Sequence, residues 1–357
     1  MSKKKKLCYV LPFFDLEIDT HHFYLYDFIK KIADDFDLTL IIEKSNSDTK
    51  FFYNVKNIKV QKFNNGLLRV LENFYLILSA RLKGNKNFYI HYSKVSALNA
   101  AIIARLSGAR TFYWSCGMMW LFGRDRLLGL VLNLVSYLVT GVEALKTGYV
   151  EHYGISADKV KIMPNWIDLV RFRDLDDNIH SKYNLRKDHK YVLFVHRLAA
   201  RKGVHYIADI AKDNKDTKFL IAGGGPYRKK LEEEVSNLEN VILLGKVPNK
   251  DIPSLMKVSK IFFMPSEEEG FPRVLAEAMA AGLAYVAFDI GGVKEISTDK
   301  QQEYIYQIGD TEAMSKSIDK LMKDDELYQD VSRSNLEHVK QFDIHVVKNK
   351  FVELINE

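Results

Sequence analysis

Short apolar runs recur along the whole chain, and between them apolar positions return at the three-and-four spacing of an amphipathic helix. In the first half the runs fall at 7–11, 38–42, 88–91, 111–114 and 137–140. In the second half they fall at 191–195, 218–222, 241–244, 261–264 and 285–288. Helical patterns separate them at 22–32, 96–106, 204–212, 227–238 and 272–281. Runs that are apolar throughout belong to strands covered on both faces, as in parallel sheets wound by crossover helices. The pattern occurs twice. Between its two occurrences 164–190 is strand-poor and polar, with Asp174, Asp176, Asp177 and Asn178 close together. The expected organisation is α/β, with one domain over 1–168 and a second over 169–335. A helical segment over 336–357 follows and is expected to pack back across the first domain.

Composition narrows the class. A chain of 357 residues that is 47% hydrophobic can bury two cores. Its two cysteines, Cys8 and Cys116, form no disulfide framework, which points to a reducing cytoplasm. The lysine-rich start runs straight into the apolar 7–11 and does not read as a signal peptide. The longest apolar stretch, 127–142, is interrupted by Gly129, Asn133, Ser136 and Thr140. It falls short of the ~20 residues a bilayer requires, so a core helix running into a strand is expected.

Charge adds a partner. The net charge is +6, and the basic excess lies in the first half. Between Lys50 and Arg110 eleven basic residues stand against one acid, Glu72. Such a block implies an anionic partner. Nucleic acid is disfavoured, because no recognisable binding module accompanies the charge. The segment 67–83 is apolar over most of its circumference, with Phe74 and Tyr75 inside it and cations toward its end. It suits either a buried crossover helix flanked by surface lysines or an anionic membrane surface; the expected location is cytoplasmic and, on the second reading, peripheral on the inner face of the membrane.

The densest chemistry lies at Ser266-Glu267-Glu268-Glu269-Gly270-Phe271-Pro272-Arg273-Val274-Leu275-Ala276-Glu277, running on to Gly282. An apolar strand ends in a polar loop, Pro272 opens a helix, and Gly282 stops it. Amides at a helix start directly after a strand form an anion site suited to a diphosphate. Glu269 precedes the helix and Glu277 lies within it, so carboxylates flank the amides and can accept hydrogen bonds from sugar or ribose hydroxyls.

This segment resembles the E-x7-E motif of the retaining glycosyltransferases of group one, also called family four. The resemblance extends to Tyr285-Val286-Ala287-Phe288-Asp289-Ile290-Gly291-Gly292-Val293-Lys294-Glu295 downstream. Upstream it takes in Val195-His196-Arg197-Leu198 with Arg201-Lys202-Gly203, where His196 replaces the family's usual Gly. Ile221-Ala222-Gly223-Gly224-Gly225-Pro226, Leu244-Gly245-Lys246-Val247-Pro248 and Met163-Pro164-Asn165-Trp166-Ile167-Asp168 are further landmarks, the last with Trp166 where Gly is common.

The resemblance implies the GT-B fold, two Rossmann-like domains facing each other across a cleft, with the acceptor on the first and the donor on the second. It implies transfer of a sugar from a nucleoside-diphosphate sugar to a glycan, glycolipid or lipid-linked acceptor in cell-surface polysaccharide or glycoconjugate synthesis. Anomeric configuration would be retained by front-face attack. Arg197 and Lys202 would grip the diphosphate, Glu269 the transferred sugar and Glu277 the ribose. Gly270 and Phe271 would offer amides, Lys246 and Val247 would lie near the base, and Ser266 would belong to the donor pocket. Gly223 and Gly224 would let the chain turn beside the phosphates. Neither cofactor nor metal is expected. Asp174-Leu175-Asp176 looks like a metal-binding D-x-D, but it sits in a linker rather than after a strand and reads as a solvated cluster. A sugar-nucleotide epimerase of the same fold, or a non-catalytic sugar-nucleotide-binding protein, are the alternative readings.

The first half departs further from the family. Asp19-Thr20-His21-His22 stands where a Gly-rich loop is common, leaving His21 or His22 as the phosphate contact. Ser115 and Cys116 follow the run at 111–114, where relatives place a His. Those four are the acceptor-side candidates.

Overall fold

The computed structural model describes residues 4–17, 23–63, 65–123, 125–173 and 176–357. They form two compact units, one of 1–164 with 347–357, the other of 165–346.

The first unit is built on seven strands: β1 (Lys5–Leu11), β2 (Phe36–Ile42), β3 (Asn57–Val60), β4 (Asn87–His91), β5 (Arg110–Trp114), β6 (Tyr137–Thr140) and β7 (Val160–Ile162). Their order is β3-β2-β1-β4-β5-β6-β7, with every pairing parallel. The second unit is a six-stranded parallel sheet of β8 (Tyr191–Val195), β9 (Lys218–Ala222), β10 (Val241–Gly245), β11 (Ser259–Met264), β12 (Ala284–Phe288) and β13 (Ile305–Tyr306). Its order is β10-β9-β8-β11-β12-β13. The central strands are buried along almost their whole length, as their unbroken apolar runs require.

Three strands carry no such run. β3 is largely exposed, β7 has three residues and β13 two, and each closes one edge of its sheet. A short or exposed edge strand can be held by its ladder alone, so no apolar run marks these three, whereas the edge strand β10 carries the apolar 241–244.

The unit boundary falls after Pro164, four residues before the expected position at 168. Residues 165–168 are anchored to the second unit. The Ile167 amide donates to Phe342 O at 2.9 Å, Ile344 N returns to Ile167 O at 2.9 Å, and Trp166 is buried. The C-terminal segment is divided as well. The helix Asp325–His338 and the turn Val339–Phe342 stay with the second unit, while 347–357, which include most of the helix Ile344–Asn356, belong to the first. There the Phe351 ring meets Phe28, Phe36 and Tyr89 edge-on, with centroids 5.4, 6.0 and 4.8 Å away.

Candidate functional site

In doubly wound sheets ligands bind beyond the carboxyl ends of the strands, where the strand order reverses. In the second unit that point lies between β8 and β11. The loop after β8 carries His196, Arg197 and Lys202, and the loop after β11 carries Ser266 to Phe271. Adjacent strands therefore bring together two motifs some seventy residues apart in sequence.

Glu269 is the centre of this junction. Its Oε1 accepts from Lys202 Nζ at 2.8 Å and from His196 Nε2 at 3.2 Å. Lys202, itself buried, also donates to Glu268 O at 2.7 Å. The Arg197 amide donates to His196 Nδ1 at 2.8 Å, so the ring proton resides on Nε2 and points at the carboxylate. Burial alone would raise the Glu269 pKa. The His196 hydrogen bond and the Lys202 ammonium outweigh it and hold the carboxyl down at about 2. Glu269 is thus ionised, with Oε1 occupied and Oε2 bonded to no group among the described residues.

The loops approach this closely because glycines permit it. Gly291 adopts φ 54°, and a Cβ there would stand 1.8 Å from Glu269 O. Gly292 N donates to Gly270 O at 3.0 Å, clamping the Gly-Gly loop onto the one bearing Glu269. At Gly203, with φ 67°, a Cβ would fall 1.7 Å from Pro265 O. Cβ atoms at Gly223 and Gly225 would meet His196 O at 1.9 Å and Leu198 O at 2.3 Å. The glycines after β9 therefore let that loop close on the loop after β8. The Lys246 side chain lies over Gly224, whose Cβ would come within 2.8 Å of Lys246 Cγ.

The helix Arg273–Ala280 starts after Pro272 and ends in a Schellman motif, with Leu283 N donating to Ala278 O and Gly282 N to Met279 O, both at 3.0 Å. Within it Arg273 Nη2 lies 3.0 Å from Glu277 Oε1. The approach is an ion pair without hydrogen-bond alignment, since that buried oxygen has no hydrogen-bond partner. Arg273 Nε also donates to Trp166 O at 3.3 Å. Arg273 escaped the sequence reading, although its four-residue spacing from Glu277 was the available signal.

Other expected residues divide clearly. The amides of Gly270 and Phe271 donate to no group among the described residues, whereas the Phe271 ring is buried edge-on against Phe342 at 5.5 Å. Arg197 and Lys246 are exposed and form no ion pair among the described residues. Ser266 is fully buried with its Oγ unbonded, and Val247 is half-buried just past β10. A concavity of about 720 Å³ in this unit, between 297–300 and 330–338, includes none of these residues. It is a solvent-facing groove bridged by the Lys300–Asp330 ion pair.

In the first unit Ser115 Oγ is bonded to Tyr149 OH at 2.7 Å, tying β5 to the helix Glu143–Tyr153. Cys116 is half-buried. His21, His22, Asp174 and Leu175 lie outside the described residues. A pocket of about 480 Å³ opens at the ends of β1 and β2, lined by Pro12, Phe13, Glu43, Lys44, Asn65 and Arg69. Sequence reading gave no signal for it.

The fold is of the GT-B class, two parallel-sheet α/β units in one chain. HepE of Anabaena, solved with UDP, superposes with a TM-score of 0.81 over 98% of this chain and 99% of its own, at 19% identity. The same protein solved with UDP-glucose gives 0.79 at 20% identity, over 98% of this chain and 99% of its own. Residues 176–338 match the family described as "Glycosyl transferases group 1". The alpha-D-kanosaminyltransferase of Streptomyces kanamyceticus is 30% identical over 169 residues, 44% of this chain. The chain thus spans less than half of that relative's length, 44%. The N-acetyl-alpha-D-glucosaminyl L-malate synthase of Bacillus anthracis is 25% identical over 268 residues, covering 70% of this chain and 69% of that protein.

Proposed function

We propose that the chain transfers a sugar from a nucleoside-diphosphate sugar to a hydroxyl of a glycan, glycolipid or lipid-linked acceptor, with retention of anomeric configuration. The observation that carries the reading is the junction of β8 and β11, where an ionised, half-satisfied Glu269 stands beside two amides unbonded among the described residues, with the exposed cations Arg197 after β8 and Lys246 after β10. A diphosphate matches the exposed Arg197 and Lys246 and the Gly270 and Phe271 amides. Charge-assisted bonds of this kind stabilise the negative charge that grows on the leaving phosphate. Glu269 Oε2 is the acceptor for a hydroxyl of the transferred sugar, and the Glu277 carboxylate for a ribose hydroxyl. The complexes of HepE with UDP and UDP-glucose support a uridine nucleotide as the first donor to test.

Retention fits front-face chemistry. The acceptor hydroxyl attacks on the side from which the diphosphate leaves, its proton passes to the departing phosphate oxygen, and no enzyme nucleophile is needed. The reaction is proposed to run without a metal, the charge being met by Arg197, Lys202, Lys246 and backbone amides.

The test is donor binding by Glu277→Ala and Arg197→Ala, read by calorimetry with UDP and UDP-glucose. Each loss of a charge-assisted contact is expected to weaken binding by ~1.5–3 kcal/mol. Unchanged affinity in both variants overturns the site. Turnover in excess chelator, with the product anomer read by proton NMR coupling, then tests the chemistry. An inverted product, or activity restored only by a divalent ion, refutes it.

A further inference from the structure

The first unit has an apolar face that its own fold leaves uncovered. The helix Gly66–Leu82 buries only Asn73, Ile77 and Ala80. Leu67, Leu68, Leu71, Tyr75 and Leu82 are between 55% and 79% exposed. At about 100° per residue these five fall in one stripe roughly 100° wide along the helix. The neighbouring helix Lys94–Ser107 adds Leu106, 84% exposed. Arg81 joins the two helix ends by donating to Ser107 Oγ at 2.9 Å and Ser107 O at 2.7 Å.

The charge along this part of the chain is predominantly basic. Lys56, Lys59, Lys62, Lys83 and Lys86 are exposed, and none forms an ion pair among the described residues. Glu72, the only acid between 50 and 110, is engaged elsewhere. Its carboxylate accepts the Lys62 amide at 2.9 and 3.0 Å and the Phe63 amide at 2.8 Å. That clamp fastens Lys62 and the exposed Phe63 beside the helix.

We propose that this face docks on an anionic phospholipid bilayer. Leu67, Leu71, Tyr75 and Leu82 enter the headgroup boundary, and the five lysines meet lipid phosphates. Protein interfaces are depleted in lysine and pair charges of both signs, whereas a lamella of mobile anions complements scattered ammonium groups without fixed geometry. The association is peripheral, since no helix among the described residues is long and apolar enough to cross a membrane. The proposal does not depend on the donor site.

The experiment is co-sedimentation of the full chain with phosphatidylcholine vesicles, with and without about 30% phosphatidylglycerol, at rising salt. Binding is expected only with the anionic lipid, and salt should release it. Two variants divide the contributions, each checked for native far-UV circular dichroism. Charge reversal of Lys56, Lys59, Lys62, Lys83 and Lys86 to Glu, and the triple change Leu67→Ser, Leu71→Ser and Tyr75→Ser, should each lower partitioning about tenfold or more. Wild-type protein left in the supernatant at low salt overturns the proposal, as does equal binding to neutral vesicles. Undiminished binding of the serine variant also overturns it, because the helix face would then not be the docking surface. A dimer seen by sedimentation equilibrium and abolished by Leu71→Ser would assign the face to a second copy and refute the membrane.

Discussion

The two units present the same sheet edge built from opposite materials. Both are parallel sheets whose strand order reverses once, between β1 and β4 in the first unit and between β8 and β11 in the second. In the second, the loops beyond the strands touch backbone to backbone, with Gly203, Gly223, Gly225 and Gly291 each pressed on a carbonyl of another loop. In the first, side chains fill the corresponding space. Glu43 binds Arg69 at 2.7 Å and accepts the Ser96 hydroxyl, which in turn accepts from Asn73 at 2.7 Å. Asn99 donates to Asn73 at 2.9 Å, and Tyr9 shares a 2.6 Å bond with His91. Glycines of positive φ occur here too, but Cβ atoms at Gly66, Gly108, Gly123 and Gly154 would meet nothing within 4 Å. They reverse the chain; those of the second unit allow close approach. A site made from backbone needs glycine at fixed places, while one made from side chains can be assembled from many residue types.

The sharpest way to break this contrast is a pair of matched glycine substitutions. Gly291→Ala meets both a left-handed φ of 54° and a carbonyl 1.8 Å away, whereas Gly108→Ala meets only a φ of 66°. The first is expected to cost more than about 3 kcal/mol, and the second about 1 kcal/mol. Urea midpoints compare them directly. Equal costs would mean that the close approach after β11 relaxes freely.

Next in size is the ionic centre of the second unit. Glu269 titrates at about 2 in the folded protein against an ordinary 4.5. A carboxyl with a lowered folded pKa stabilises the fold fully above the unfolded value, and that contribution is lost as pH falls from there through about 2. Its size at neutral pH is about 3 kcal/mol. Wild type should therefore exceed Glu269→Gln in urea resistance at pH 7, with the gap narrowing as the medium is acidified below 4.5. A gap that stays constant across that range would show that His196 and Lys202 do not hold the carboxylate ionised.

Legibility in the sequence follows the same division. The buried strands of both units announce themselves as unbroken apolar runs, and only the edge strands β3, β7 and β13 escape. The donor-side loops are legible because glycine, proline and paired carboxylates stand at fixed intervals there. What cannot be read is which side chains meet. That Lys202 spends its buried ammonium on Glu269 and Glu268 O depends on β8 lying next to β11. The pocket of Pro12, Phe13, Glu43, Lys44, Asn65 and Arg69 is assembled from three separate segments with no spacing in common. Ser115 and Cys116 were singled out for following a strand, yet the partner that occupies Ser115 is Tyr149, thirty-four residues away.

His196 is where the second unit departs from its own rule and uses a side chain at a position the sequence resemblance assigns to glycine. The imidazole supplies one of the two hydrogen bonds on Glu269 Oε1, the other coming from Lys202. Its orientation is fixed from behind by the Arg197 amide, so the ring couples the residue expected at the diphosphate to the one expected at the sugar. His196→Gly would restore the backbone-only construction and leave Lys202 alone on the carboxylate. The cost to stability is expected to be small, about 1.5 kcal/mol, because the ammonium remains. The functional consequence should be selective. Affinity for the nucleoside diphosphate stays within about twofold, while kcat for sugar transfer falls roughly tenfold through looser placement of Glu269. His196→Asn, which keeps a donor on a shorter side chain, should recover part of the loss. Equal falls in nucleotide affinity and in kcat would show that His196 serves the diphosphate side of the site, and an unchanged kcat would show that Lys202 alone positions Glu269.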